Sequence, residues 1–469
     1  MPEGLLPSLG RFFRSPAFKL ALIGLMVLLL GVPLLSVWAL VGERENRSHE
    51  VANDVARSWG GQQSVTGPFL IVPYTVKVQV VSGDKQLEQT QSRLAVFLPD
   101  KVDFVARTTS QLLHRSIYEV PVYSGDLAVT GHFEAPDIAK IEPEAASVHW
   151  ADAVFVLSLS DVFGLKQASP LSITGRGDAG FEPSVGLAAS QMQGIHARLA
   201  DVKGAGASAP DAPAGPTAAF DFSFKLAFSG SYGLSFAPVG RETTVSLASD
   251  WPNPSFSGAF LPVNRKIGQD GFTASWKVPH LARSVPQAWA TPEAEFNLNR
   301  LGGYLFGADL YVPVDFYDLV TRALKYGLMF PAAGFMAVFI METLARKRLH
   351  PVQYLFSGAA LVLFFVLLLS FAEHIGFFAA YVLASIATSL LVAGYVWRAM
   401  GSAAKGGIMI AVLLILYGLL YFVLKLEDYA LLAGAIAGFA MLAAAMFLTL
   451  GVDWSGGDKL AIGQPSKTG

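Results

Sequence analysis

Residues 20–41 carry no charged side chain, and Arg11, Arg14 and Lys19 stand just before that run. At 1.5 Å per residue, a helix of about 22 residues covers the roughly 30 Å of a bilayer's hydrocarbon core. A cleaved signal peptide is the competing reading. The apolar run exceeds a usual signal-peptide core and no small-x-small site closes it, so the segment reads as a retained signal anchor. Five more apolar segments follow towards the C-terminus, at 326–341, 352–371, 377–396, 408–424 and 429–450.

Charge separates the chain into two solvents. Lys, Arg, Asp and Glu are frequent from 42 to 325, whereas 326–450 is almost continuously apolar, which is why the whole chain reaches 53% hydrophobic residues with only 15% charged. Basic residues in short loops mark the cytoplasmic side of a membrane protein. With the N-terminus inside, that side receives Arg11, Arg14, Lys19, Arg346, Lys347, Arg348, Arg398 and Lys405. The opposite short loops hold Lys425 beside Glu427 and Asp428, and the pair Glu373 and His374. The expectation is a multi-pass α-helical membrane protein with six spans and both termini cytoplasmic. Residues 1–19 form the cytoplasmic N-terminus, 325–450 a five-helix bundle and 451–469 a cytoplasmic tail. A domain at 42–324 is placed outside the cytoplasm, inserted between the first two spans and tethered at both ends.

That domain reads as β-rich. Val76, Val78 and Val80 alternate with Thr75, Lys77 and Gln79, the period of a half-buried strand; Ser82, Gly83 and Asp84 supply a turn, and 93–98 returns. Phe220, Phe222, Phe224, Leu226 and Phe228 alternate with Asp221, Ser223, Lys225 and Ala227, and the pattern resumes after Gly230. Repeated short strands predict an antiparallel, sandwich-like fold. An Ala/Pro/Gly/Ser-rich linker at 201–216 divides the domain into strand-rich parts of 60–200 and 217–310. The polar stretch 43–59 before them reads as helical. Cysteine is absent, so disulfides and thiolate chemistry are excluded and the domain must hold by core burial alone. A net charge of -2 without a long basic run gives no footprint for nucleic acid.

No phosphate loop, GxSxG elbow or HExxH helix is present, so the expectation is a protein without catalytic residues, cofactor or metal. Four groups of residues are candidates for function. Glu342, Arg346 and His350 lie in or beside a cytoplasmic loop, where Glu342 is spaced to pair with Arg346 at i, i+4; structural pairing competes with a role in transport or signalling. Glu373 and His374 join a carboxylate to an imidazole at an apolar boundary, read either as an interfacial loop or as a proton or ligand site. Asp318 and Arg322 share a helix face at the approach to the second span and are candidates for coupling domain to bundle. Trp251, Phe256 and Phe260 stand in a proline-rich loop that either binds a partner or covers a core.

Taken together, the segments resemble the inner-membrane protein CreD family, also called cell envelope integrity proteins. The landmarks are GPFLIVPY at 67–74, FLP at 97–99, IYEVPVY at 117–123, SDVFG at 160–164 and WPNPSFSGAFLP at 251–262. They continue with GFTASW at 271–276, VDFYDLVTRALKYG at 314–327, ETLARKRLHPVQY at 342–354 and the Glu373, His374 pair. The resemblance implies a bacterial inner-membrane protein, with a periplasmic domain, linked to envelope stress or to antibiotic and colicin response. It carries over no catalytic residue. The leading expectation is a non-enzymatic envelope protein whose periplasmic domain engages a periplasmic or membrane partner while the bundle anchors or couples that event. The alternatives are a small-solute, lipid or proton-coupled transporter, and an enzyme acting on cell-wall or lipid intermediates.

Overall fold

The computed structural model describes residues 16–82, 85–115, 118–187, 192–202, 218–296, 299–311, 316–345, 347, 349–426 and 429–450. The chain divides into two compact units, one made of Met1–Arg47 with Val314–Gly469 and the other of Ser48–Pro313.

The helical unit begins with α1 (Pro16–Trp59), whose last residues belong to the other unit. The polar stretch at 43–59 is helical as expected, but it continues α1 without a break. After the β-rich unit come α2 (Phe316–Lys325), α3 (Met329–Ala345), α4 (Pro351–Ile375), α5 (Phe377–Met400), α6 (Ala403–Lys425) and α7 (Ala430–Leu448). Among the described residues, α1, α4, α5 and α6 are each long and apolar enough to cross a membrane. α2 and α3 reach that length only as a pair bent by 46°, and the apolar part of α7, Leu432–Leu448, is shorter. By length and composition the described helices thus offer four or five spans, and the helix within the expected segment at 326–341 starts at Met329, after a break at Tyr326–Leu328 where the chain turns.

Local chemistry sets these boundaries. Pro351 opens α4 in the first turn, where its missing N–H costs nothing. Gly401 ends α5 in the left-handed region with φ 63°, which a residue without Cβ adopts freely. Aromatic rings tie α3, α4 and α6 together: Phe364 lies 4.5 Å and Phe330 5.0 Å from Tyr417, centroid to centroid. At Gly358 of α4 an added Cβ would run into the Leu30 side chain of α1 and lie 2.6 Å from the Phe335 ring of α3, so glycine leaves room for both against α4.

The other unit is a β-sandwich. Among its described residues, one sheet has ten strands, built on Gln63–Ser82, which pairs antiparallel with Lys85–Phe97 and Val154–Leu159 and parallel with Gly233–Phe236. The other has nine and runs from Asn264–Gly268 through Gly271–Pro279, Glu242–Ser249, Lys101–Arg115 and Tyr118–Phe133 to Phe220–Ser231. Their inner faces share one core: Phe104 meets Phe236 at 5.3 Å, and Phe155 meets Phe133 at 6.1 Å and Phe222 at 5.1 Å. The alternation read from the sequence is realised in Phe220–Ser231, where Phe220, Phe222, Phe224, Leu226 and Phe228 are buried and Asp221, Ser223 and Lys225 exposed.

Two points differ from the sequence reading. The resumed alternation after Gly230 belongs to the opposite sheet, because the chain crosses over at Tyr232, a non-glycine residue held at φ 63°. The segments 60–200 and 217–310 do not form separate bodies either. Both sheets take strands from both segments, joined by the parallel pairing of Gln63–Ser82 with Gly233–Phe236 and of Lys101–Arg115 with Glu242–Ser249. The linker beyond residue 202 lies outside the described residues, as does the tail at 451–469.

Because Phe155 is fully buried at the meeting of the sheets, Phe155→Ala is expected to destabilise the β unit by about 3–5 kcal/mol. Denaturant unfolding of the full-length protein, followed by tryptophan fluorescence, measures it; a midpoint unchanged from wild type contradicts the shared core.

Candidate functional site

Polar side chains, several of them withdrawn from water, meet α1 at three places along its length. The first is at its start. Glu342 of α3 is 6% exposed, and a lone carboxylate there is costly by several kcal/mol. It is compensated by an ion pair with Lys19 and by a hydrogen bond donated from the Tyr354 hydroxyl at 2.7 Å. Lys19 also donates to the Leu349 carbonyl at 3.1 Å and stands 5.3 Å from the Tyr354 ring centroid. One cation thereby joins α1, α3, the connection after α3 and α4.

The second place is the far end of the same bundle. Glu373, in the last turn of α4, accepts a hydrogen bond from the Tyr317 hydroxyl of α2 at 3.3 Å. Nε of Arg44 on α1 lies 4.0 Å from the same carboxylate oxygen. Lys19 and Arg44 are 44 − 19 = 25 residues apart, roughly 37 Å along a helix, slightly more than the hydrocarbon thickness of a bilayer. The spacing of the two ion pairs along α1 is therefore close to that thickness, with the apolar run between them.

The third is where α1 ends in the β unit. The Trp59 carbonyl accepts from Ser229 Oγ at 2.5 Å, and the Trp59 indole N–H donates to the Tyr123 carbonyl at 3.2 Å. Gly60, at φ 124°, turns the chain from helix into strand; an added Cβ would meet the Ser229 carbonyl oxygen at 2.6 Å. Asp161 then secures the exit: one carboxylate oxygen accepts from the Gly61 N–H at 2.7 Å and the other from the Phe163 N–H at 2.9 Å. Gln63, 2% exposed, donates to the carbonyls of Asp161 and Ser229 at 3.0 and 3.2 Å. Beneath this collar the Tyr123 hydroxyl donates to the Gly233 carbonyl at 2.9 Å, and burial pushes its pKa well above the ordinary phenol range.

The sequence candidates fare differently. Glu342 and Glu373 are both brought into ion pairs, but with Lys19 and Arg44 of α1. Arg346, proposed as the partner of Glu342, lies outside the described residues. His350 is a helix cap: its Nδ1 accepts from the Val352 N–H at 3.3 Å, while its own N–H donates to Gln353 Oε1 at 2.9 Å. His374 is exposed. Asp318 is exposed on α2, and among the described residues no ion pair joins it to Arg322; the buried face of α2 is Tyr317, Val320 and Ala323. Trp251, Phe256 and Phe260 are packed against the sandwich core. Phe256 meets Trp276 at 5.9 Å, Phe260 meets Phe306 at 5.7 Å, and the Trp251 indole donates to the Tyr311 carbonyl at 3.1 Å. Their covering role, one of the two readings of that loop, is the one the packing supports.

Residues that sequence reasoning left without a role are Arg44, Gln63, Asp161 and Ser229. The signal for Asp161 was its place in the SDVFG phrase; for Arg44, its position just past the apolar run. Within the bundle, Tyr381 donates to the Tyr417 carbonyl at 2.6 Å, and Thr388 Oγ1 and the Tyr417 hydroxyl lie 2.9 Å apart, tying α5 to α6. Among the described residues no group of three or more His, Asp or Glu side chains is arranged to hold a metal ion.

Removing one member of the Lys19–Glu342 pair leaves a buried charge unpaired. Lys19→Met is expected to cost about 3–5 kcal/mol, and Lys19→Met with Glu342→Leu markedly less than the sum of the single changes. Thermal unfolding in micelles tests this, and additive effects contradict the pair. The raised pKa of Tyr123 has a definite sign: its stabilising contribution is complete below about pH 10 and is lost as pH rises further. Tyr123→Phe should therefore show a shallower loss of stability above about pH 10 than wild type in denaturant titrations; parallel profiles contradict it.

Comparison with known proteins agrees with this architecture. Residues 15–455 match the family described as Inner membrane protein CreD. The chain is 30% identical over 447 residues to the Inner membrane protein CreD of Escherichia coli (strain K12), covering 94% of each chain. Among solved structures, an M1 zinc metallopeptidase from Deinococcus radiodurans is similar at 10% identity over 49% of this chain and 53% of its own length, with a TM-score of 0.21. That likeness is too low to inform the fold or the chemistry. The sequence match extends from before the apolar run of α1 past the end of α7, through the β-sandwich and every ion pair described above: the chain belongs to the CreD family of inner membrane proteins.

Proposed function

We propose that this protein supports cell-envelope integrity as a non-enzymatic coupler. In this reading it has six membrane spans, both termini in the cytoplasm, and a periplasmic β-sandwich that engages a protein partner. The observation that carries it is the continuity of α1. One helix is held by Lys19–Glu342 and by Arg44–Glu373 at the two ends of the bundle, and its last turn is locked into the sandwich by Ser229, with Asp161 holding the exit at Gly61. A simple anchor has no need of so many polar fastenings on a single helix. Family membership supports the envelope role, and the bias of Lys and Arg towards one set of loops supports the orientation. The acids that motivated a transport reading, Glu342 and Glu373, are each engaged at a helix end, which gives coupling the better support.

The test is rescue of a strain lacking this protein. Wild type should restore survival under detergent or cell-wall-antibiotic stress. Lys19→Met, Glu373→Gln and Asp161→Ala, checked for normal membrane abundance, should restore little. Full rescue by all three variants, or a deletion strain as resistant as its parent, removes the coupling reading.

A further inference from the structure

The nine-stranded sheet ends on the strand Asn264–Gly268, which pairs only with Gly271–Pro279 among the described residues. All five of its residues are exposed. Alternate residues of such an edge turn their N–H and C=O away from the neighbouring strand, so the edge is a template for another chain. Charged side chains often guard an edge, and Arg265 and Lys266 fit that description. Guarding does not explain what flanks them.

On the outer face of the sheet, Lys266 is in register with Thr273, Thr273 with Ala248 and Ala248 with Arg107. The short side chains between the two cations leave an open groove of about 390 Å³ with Lys266 on one side and Arg107 on the other. On the opposite face, Val263 and Ile267, 67% and 52% exposed, flank Arg265. Among the described residues Arg107, Arg265 and Lys266 form no ion pair, and Asp126, which stands opposite Arg107 in register, does not pair with it.

We propose that this edge receives an extended segment of a partner protein as an additional strand. The segment has acidic residues at alternate positions on the face of Lys266, and apolar residues between them on the face of Val263 and Ile267. The proposal rests on the reading that the sandwich engages a partner, and it names that partner's chemistry. Strand addition takes affinity from main-chain hydrogen bonds and specificity from the alternating side chains, which matches an edge with Lys266 on one face and exposed Val263 and Ile267 on the other. A second copy of this chain is a poor occupant: two such edges laid antiparallel would bring the Arg265–Lys266 pairs together, and like charges directly opposite destabilise a sheet. Anionic lipid headgroups would answer the charge but leave the outward N–H and C=O groups unpaired.

The test uses the full-length protein in uncharged detergent micelles and a dye-labelled peptide of about eight residues, alternating valine and glutamate, read by fluorescence anisotropy. The peptide is expected to bind at least about tenfold more tightly than its valine–lysine counterpart, and to lose at least about tenfold in affinity against Lys266→Glu protein. A version methylated on alternate backbone nitrogens should lose binding, because it cannot complete the ladder. Equal binding of the methylated or the lysine peptide, indifference to the Lys266 charge reversal, or no binding of the glutamate peptide overturns the proposal. Displacement by phosphatidylglycerol micelles together with undiminished binding of the methylated peptide would make the edge a lipid-facing charge patch instead. If the peptide fails while the α1 variants still lose rescue, strand addition falls and coupling stands. If the peptide binds as described while deletion has no envelope phenotype, the edge site stands and coupling falls.

Discussion

A carboxylate held out of water needs a cation, and the arrangement of the helical unit depends on how Glu342 meets that need. Its partner is Lys19, some three hundred positions earlier in the chain. Because Lys19 also reaches the Leu349 carbonyl and lies against the Tyr354 ring, one ammonium group sets the start of α1 against α3 and α4. Breaking a buried pair costs far more than making it contributes, so such a contact specifies which helix packs where more than it adds net stability. The pair of Arg44 with Glu373 repeats the device at the other end with less burial, as expected where a long arginine reaches the interface.

The β unit is held by another kind of constraint. Its core is a field of phenylalanines from both sheets, and burial of that apolar area is the only large stabilising term available to a domain without cysteine. The chain enters this core directly from a helix, so the backbone groups at the helix end have to find partners within a few residues. Gly60, Asp161, Gln63 and Ser229 supply the turn, the acceptors and the donors. Polar side chains at 0–2% exposure, such as Ser229 and Gln63, are tolerable only because their hydrogen bonds are made.

Several candidates that look chemical in the sequence have structural employment. His350 caps a helix, Trp251, Phe256 and Phe260 close over the sandwich, and Glu373 is divided between a tyrosine and an arginine. The unspent chemistry of the β unit lies at the edge strand Asn264–Gly268, where cations and apolar side chains face solvent on either side of unpaired backbone.

Local features were legible in the amino-acid order alone. Apolar runs of membrane length located α1, α4, α5 and α6, strict alternation located Phe220–Ser231 and the hairpin of Gln63–Ser82 with Lys85–Phe97, and the ordered phrases pointed to the family. These properties depend on neighbours within a few residues, which is what periodicity reports. Which distant groups meet is set by the fold: Lys19 with Glu342, Arg44 with Glu373, Asp161 with Gly61, and strands on both sides of the linker with one another. Glu342 carries the same i, i+4 spacing to Arg346 whether or not α1 packs beside it, and alternation after Gly230 reads the same whichever sheet the strand joins. Pairing across long separations is fixed by packing and by charge compensation in a shared interior, and neither leaves a periodic mark in the sequence.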